Sequence, residues 1–278
     1  MKINGHTELI AHIGYPTHSF KAPMIYNPFF VKHDINAVVV PMGCKPEDYP
    51  VFLKSVFQLS NIRGALITMP HKVVTVGLLD EVSSAVKVAG ACNAVKRTED
   101  GRLVGDMFDG AGFVRGVQRK GFDLQGKRVL VVGTGGVGCA IAASLAGAHI
   151  AAITLFDVHT ASAEALGQRL KQHHPQIDVR IGSNDPADHD LVVNATPMGM
   201  NEGDALPMDV ARISPDTFVG EVVMKTEMTA FLQAAKNHGC RVQVGSDMLF
   251  EQIPAYLEFF GLPTTTAQEL RSLAQLSY

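Results

Sequence analysis

The sequence predicts an α/β protein in two parts, an N-terminal α/β domain followed by a doubly wound parallel sheet. Three observations carry this. Short apolar runs alternate with helical stretches along most of the chain. A glycine-rich loop, Gly133-Thr134-Gly135-Gly136-Val137-Gly138, follows the apolar run Arg128–Val132 and precedes an alanine-rich helical stretch from Cys139 to Ala148. The loop lies in mid-chain, with a domain's length of separate α/β sequence ahead of it.

Leu9–Ile13 reads as a strand ending at Gly14-Tyr15-Pro16, and Pro23 to Val31 as a helix, with proline where the missing N–H costs nothing. Ala37–Val40 reads as a buried parallel strand, Pro46 to Leu59 as a helix and Ala65–Thr68 as another strand. Ala94–Arg97 and Arg102–Asp106 flank Asp100-Gly101, a hairpin signal that gives the first sheet an antiparallel component. Strands at Val129, Ile153, Val179, Leu191 and Phe218 then alternate with helices, which implies a parallel sheet, and Arg241–Val244 adds one more. Asp247 to Phe260 reads as a helix, and Thr266-Ala267-Gln268-Glu269 as a capping box opening the last.

Bulk composition excludes several classes. The chain has 278 residues, 46% of them hydrophobic, enough for two cores. Its net charge of -3, with no basic block, gives no case for nucleic acid or an anionic membrane. No apolar run approaches the ~18 residues of a membrane span, and the N-terminus has no signal-peptide core. The four cysteines are scattered without a C-x-x-C, which predicts buried free thiols and a cytoplasmic location. The 11 histidines show no metal-ligand spacing, so no metal is expected.

The glycine loop has the G-x-G-x-x-G pattern of a Rossmann-type dinucleotide site. Gly133 would make the tight turn, Gly135 would let backbone amides approach a pyrophosphate, and Gly138 would let helix and strand pack closely. Gly136 and Val137 would open the helix whose N-terminus faces the phosphates. Asp157 ends the next strand, where an acidic residue binds the ribose hydroxyls of NAD. The alternative is a βαβ unit whose glycines serve packing only. The preceding α/β sequence is naturally a substrate domain, with nicotinamide and substrate meeting between the two parts.

Hydride transfer at an alcohol also moves a proton, so a base or polarising cation must reach the oxygen. Lys72 and Asp109 both follow predicted strand ends, where α/β sheets place ligands. Burial would lower a lysine pKa, and a carboxylate would orient it. Equally, Lys72 could be a solvated charge and Asp109 a cap for the helix that follows.

Six ordered motifs resemble the shikimate/quinate dehydrogenase family. Gly14-Tyr15-Pro16 through Pro23 aligns with G-N-P-x-x-H-S-x-S-P. Leu66-Ile67-Thr68-Met69-Pro70-His71-Lys72 matches N-V-T-x-P-x-K, and Gly90-Ala91-Cys92-Asn93 matches G-A-x-N. Gly105 to Gly112 matches G-x-N-T-D-G-x-G, Asn194-Ala195-Thr196-Pro197-Met198-Gly199-Met200 matches N-A-T-x-x-G-M, and Gly245 to Gln252 matches G-x-x-M-L-x-x-Q. The resemblance implies that Lys72 and Asp109 are the catalytic pair and that Thr68, Asn93 and Gln252 surround the substrate ring. It implies that Asn194, Thr196, Met198, Val222 and Gly245 line the nicotinamide side. It further implies a substrate domain over 1–108, completed by C-terminal helices over about 248–278, and a dinucleotide domain over 109–247.

The departures share a direction. The two serines that bind the substrate carboxylate in the family become Phe20 and Ala22, the asparagine before V-T becomes Leu66, and a late tyrosine becomes Met224. Losing two hydrogen bonds to a charged group would cost roughly 3 kcal/mol, about a hundredfold in binding. Lys21, His18, Tyr26 or His71 would have to compensate. NADP-using members carry Asn-Arg after the second strand, whereas this chain reads Asp157-Val158-His159, so NAD is expected over NADP. The resulting expectation is NAD-dependent oxidation at a ring hydroxyl of shikimate, quinate or a related cyclic hydroxy-acid, weak on shikimate itself. The alternative is a non-catalytic dinucleotide-binding sensor or regulatory paralogue, and a folate-type dehydrogenase of the same fold is a third. The sequence leaves a homodimer open.

Overall fold

The computed structural model describes residues 3–201 and 203–277. The chain divides into two compact units, residues 1–108 with 252–277 and residues 109–251.

The first unit opens with β1 (Glu8–Gly14), α1 (Pro23–Lys32), β2 (Ala37–Gly43), α2 (Tyr49–Val56) and β3 (Ile62–Ile67). α1 begins at its proline, as the sequence indicates, and Asn27 on it exchanges hydrogen bonds with both backbone groups of Val39 on β2. α2 is shorter than the predicted 46–59, because residues 45–48 form a turn closed by the Asp48 N–H donating to the Lys45 carbonyl. Next come α3 (Lys72–Thr75), β4 (Glu81–Val82), α4 (Ser84–Ala89), β5 (Ala94–Arg97) and β6 (Leu103–Asp106). α4 is capped by Ser83, whose side chain accepts from Val86 N, and ends at Gly90 in the left-handed region.

This sheet runs β2-β1-β3-β5-β6-β4. β1 pairs parallel with both β2 and β3, while β5 pairs antiparallel with β3 and β6. The antiparallel component predicted from Asp100-Gly101 is therefore present. β1 is central and its residues from Ile10 to Gly14 are buried, which fits its apolar run apart from His12.

The second unit contains α5 (Asp109–Arg119), β7 (Arg128–Val132), α6 (Gly136–Gly147), β8 (Ala152–Phe156), α7 (Thr160–His173), β9 (Asp178–Ile181), β10 (Leu191–Asn194), β11 (Phe218–Glu221), α8 (Ala230–Asn237) and β12 (Arg241–Gln243). Its sheet, β12-β11-β10-β7-β8-β9, is parallel throughout. Successive strands leave β7 first toward β8 and β9, then toward β10, β11 and β12, so the strand order reverses between β7 and β10. In open parallel sheets that switch point, at the carboxyl ends of the strands, is where ligands bind. Leu130, Val192, Val219, Phe231 and Leu232 are packed in one buried cluster on this sheet. The last helices are α9 (Gly245–Phe259) and α10 (Ala267–Leu273), the second opened by Thr266 accepting from Glu269 N. Among the described residues, no helix is long and apolar enough to cross a membrane.

Candidate functional site

In the first unit the predicted residues gather at the carboxyl ends of β1 and β3. Thr68 continues β3 by one residue, its N–H donating to Ile13 O, and Lys72 begins α3 four residues on. Lys72 is only 8% exposed, unusual for an ammonium group, which is seldom buried without a partner. Its carbonyl accepts from Cys92 N, which brings the Gly90–Asn93 loop beside it. Asn93 is fully buried, and its Oδ1 accepts from Phe108 N at 3.0 Å while its Nδ2 has no partner. Tyr256 donates to the Asn93 carbonyl. Gln252 lies one turn before Tyr256 on α9, and its buried Oε1 also lacks a partner.

Phe20 and Ala22 are buried, so the two positions expected to carry carboxylate-binding hydroxyls are apolar and covered. The Phe20 ring stacks on His12, with centroids 4.1 Å apart and planes at 28°. A Cβ on Gly14 would lie 2.4 Å from Thr68 Cγ2 and 2.9 Å from Phe20 Cζ, so only glycine lets these groups meet. Of the residues that could have compensated, Lys21 donates to the Ser277 carbonyl and His18 is exposed. His71 Nε2 contacts the Cys44 carbonyl at 2.8 Å, and its ring lies flat on Tyr49. Tyr26 is buried with its hydroxyl unpartnered. Lys21 and His71 are thus engaged within the chain, whereas the Tyr26 hydroxyl is a buried donor left open.

In the second unit each glycine of the loop has a distinct setting. Gly133 has φ +97°, and a Cβ there would lie 2.8 Å from Ala195 O, so it makes a turn closed to other residues. A Cβ on Gly138 would lie 2.0 Å from Gly133 O, which gives the close helix–strand packing. Gly135 differs: it is the N-cap of α6, has φ −69°, is exposed, and meets nothing within 4 Å of its Cβ direction. Open space over a helix N-terminus, lined by Gly136 and Val137, fits a pyrophosphate.

The other predicted cofactor residues cluster at the ends of β10 and β11. Asn194 Oδ1 accepts from Thr196 N and Thr196 Oγ1, and Asn194 Nδ2 donates to Met198 O at 3.1 Å. These bonds fix the turn after β10 and leave Met198 half-buried. Val222 and Met224 are half-buried after β11. Gly245 serves close packing, since a Cβ there would lie 2.2 Å from Val223 O. Asp109 begins α5 and is 2% exposed. Gly110 beside it packs on α6, with a Cβ position 2.0 Å from Ala140 O.

Two buried titratable residues escaped the sequence reading. Glu221, at the end of β11, is fully buried. Burial pushes its carboxyl up to about 7, against hydrogen bonds from Thr229 Oγ1 at 2.7 Å and Asn194 Nδ2 at 3.4 Å. His12, on β1, is held down at about 3 by burial and by the charge of Lys72. The signal in both cases was a polar residue inside an otherwise apolar parallel strand. All four cysteines are buried free thiols. Among the described residues, no group of three or more His, Cys, Asp or Glu side chains could hold a metal.

Residues 12–95 match the family model described as shikimate dehydrogenase substrate binding domain. The chain is 32% identical over 255 residues to shikimate dehydrogenase (NADP(+)) of Rubrobacter xylanophilus, covering 90% of this chain and 89% of that protein. It is 31% identical to shikimate dehydrogenase (NADP(+)) of Acidiphilium cryptum over 94% of both. A crystal structure of shikimate 5-dehydrogenase from Listeria monocytogenes in complex with shikimate and NAD superposes with a TM-score of 0.88 at 26% identity, covering 98% of each chain.

These relatives correct the expected preference for NAD, since the curated proteins bear the name shikimate dehydrogenase (NADP(+)). The structure supplies a physical reason why Asp157 misled. Its carboxylate is turned onto its own loop, accepting from Thr134 N at 2.7 Å, Thr134 Oγ1 at 3.0 Å and His159 N at 2.9 Å. Burial opposes its charge, but the hydrogen bonds from His159 and Thr134 outweigh it and hold the pKa below the ordinary carboxylate value. The charge is thus taken up in holding the glycine loop rather than held out toward a ribose. With six motifs in order, identity above 30% along nine-tenths of the chain and the fold in common, the chain belongs to the shikimate/quinate dehydrogenase family.

Proposed function

We propose that this chain is an NADP-dependent dehydrogenase acting at a ring hydroxyl of a cyclic hydroxy-acid, and that its activity on shikimate is weak. The observation that carries the reading is the burial of Lys72 at the head of α3, beside Thr68 and the Asn93 loop. Lysine is among the side chains least often buried, and proton transfer at a substrate oxygen gives this placement a purpose. The names of the relatives support the cofactor and the substrate class. The open cradle at Gly135 supports dinucleotide binding. We assign substrate binding to residues 1–108 with the C-terminal helices, and dinucleotide binding to 109–247.

When bound, the dinucleotide supplies or accepts the hydride at the carbinol carbon. Lys72 Nζ holds the substrate oxygen, taking its proton during oxidation and returning it during reduction, and Asp109 is assigned to the same proton transfer. Asn93 Nδ2 and Gln252 Oε1, a donor and an acceptor left open, bind ring hydroxyls. Buried Phe20 and Ala22 in place of hydroxyls support weak use of a carboxylate-bearing ring.

Steady-state formation of reduced nicotinamide, with NADP or NAD and with shikimate or quinate, tests this. Turnover with NADP is expected, with kcat/KM for shikimate at least about tenfold below that of ordinary family members. Lys72→Met should abolish turnover while dinucleotide binding persists. Binding of NADPH with no turnover of any cyclic hydroxy-acid would instead establish the sensor alternative.

A further inference from the structure

We infer that His12 is a substrate-binding residue, whose neutral imidazole hydrogen-bonds an uncharged hydroxyl or carbonyl oxygen of the substrate ring. The inference deepens the dehydrogenase reading and rests on it.

His12 stands in a central strand between two parallel neighbours, where Ile10, Ala11 and Ile13 are all apolar. It is 7% exposed, and its Nδ1 has no hydrogen-bond partner. A buried polar atom without a partner destabilises the fold, and an aliphatic side chain would remove that penalty. A partner from outside the chain explains why a polar group stands there.

The placement says what kind of partner. Side chains alternate along a strand, so His12 shares a face with Gly14, the position crowded by Thr68 and Phe20. The charge of Lys72 also reaches it. His12 is thus on the face of the sheet that carries the proposed catalytic lysine. Its register partner on β3 is Leu66, the position where the family pattern has asparagine. A polar group absent from β3 is matched by one on the adjacent strand β1, at the paired position. The Phe20 ring, stacked on the imidazole, fixes its plane and so the direction of Nδ1.

The same geometry limits the ligand's charge. The imidazole stays neutral near pH 7, and a neutral ring offers one donor or one acceptor to an oxygen but no countercharge. Phe20 and Ala22 offer none either, the Lys21 amine is bonded to the Ser277 carbonyl, and Lys72, whose charge does reach His12, is assigned to the reacting hydroxyl. The substrate class is therefore a polyhydroxylated ring that presents an uncharged oxygen to β1.

The test compares wild type, His12→Leu and His12→Asn, each with shikimate, quinate and methyl shikimate, using NADP. On the compound that wild type uses best, His12→Leu should raise KM by about tenfold or more with kcat changed less than about threefold, and His12→Asn should recover part of the loss. The thermal midpoint of His12→Leu without ligand should equal or exceed that of wild type, which separates lost binding from lost folding. Wild type should use methyl shikimate at least as well as shikimate. An unchanged KM in His12→Leu overturns the inference, as does a preference of wild type for shikimate over its methyl ester by more than about tenfold. Absence of turnover with all three compounds defeats the dehydrogenase reading instead. The imidazole nitrogen resonances of His12, followed while methyl shikimate is added, then decide the contact by itself. A shift supports it, and no shift overturns it.

Discussion

Replacing Glu221 by glutamine should remove a stability loss that wild type suffers as pH rises through neutrality. The carboxyl sits at the end of β11 with no exposed surface, and burial raises its pKa from 4.5 to about 7. A group whose folded pKa lies above its unfolded value favours the native state while protonated. That contribution is complete below pH 4.5 and is lost as pH rises through 7. At about 1.4 kcal/mol per pKa unit, the shift is worth about 3 kcal/mol, a sizeable share of the stability of an ordinary domain. Glutamine keeps an acceptor for Thr229 Oγ1, which caps α8, and cannot ionise. Urea unfolding at a series of pH values between 4.5 and 8 measures this, with far-ultraviolet circular dichroism as the probe because the chain has no tryptophan. Wild type should lose about 3 kcal/mol more than Glu221→Gln across that range. Comparing the two cancels the other titrating groups. Parallel pH profiles would refute the assignment of a raised pKa to Glu221.

Other consequences are equally direct. Gly135→Ala should fold with a thermal midpoint within about 2 °C of wild type, because its φ suits alanine and its Cβ direction is open. It should nevertheless weaken NADPH binding in a calorimetric titration, and unchanged affinity would remove the pyrophosphate from that space. Gly138→Ala should lower the midpoint instead, by an amount equivalent to about 1–3 kcal/mol, since its Cβ would meet the Gly133 carbonyl at 2.0 Å. Asp109→Asn should lower kcat by about 10²–10⁴ with the circular dichroism spectrum unchanged, and a wild-type kcat would leave Asp109 as a helix cap only. On the acid side, wild type should lose stability as pH falls from 6.5 toward 3, because buried His12 must be protonated on unfolding, and His12→Leu should lose less over that window.

Much of the fold was legible because the relevant information is local. Strand β7, the glycine loop and α6 are encoded within a score of contiguous residues, and each glycine has a steric cause that sequence spacing expresses directly. The hairpin partners β5 and β6 were legible for the same reason, as a turn signal between two short apolar runs. Lys72 and Asp109 could be named because both stand just beyond strand ends and match ordered motifs. Asp157 shows the limit. Its position at the end of β8 is local information, but the direction of its carboxylate is set by Thr134 and His159, and that alters what it can do for a cofactor.

The sequence by itself determined the two-part α/β plan, the dinucleotide loop and the identity of the residues offered for catalysis. These follow from periodicity, glycine sterics and motif order, all carried by short segments. Only the tertiary structure decided which polar groups are buried without partners, because partnership depends on contacts between residues far apart in the chain. It left the buried Nδ1 of His12 without a partner beside Leu66, and it gave buried Glu221 hydrogen bonds from Asn194 and Thr229. Burial makes both consequential, since away from water an unmet hydrogen bond or a carboxyl group's charge is no longer satisfied by solvent.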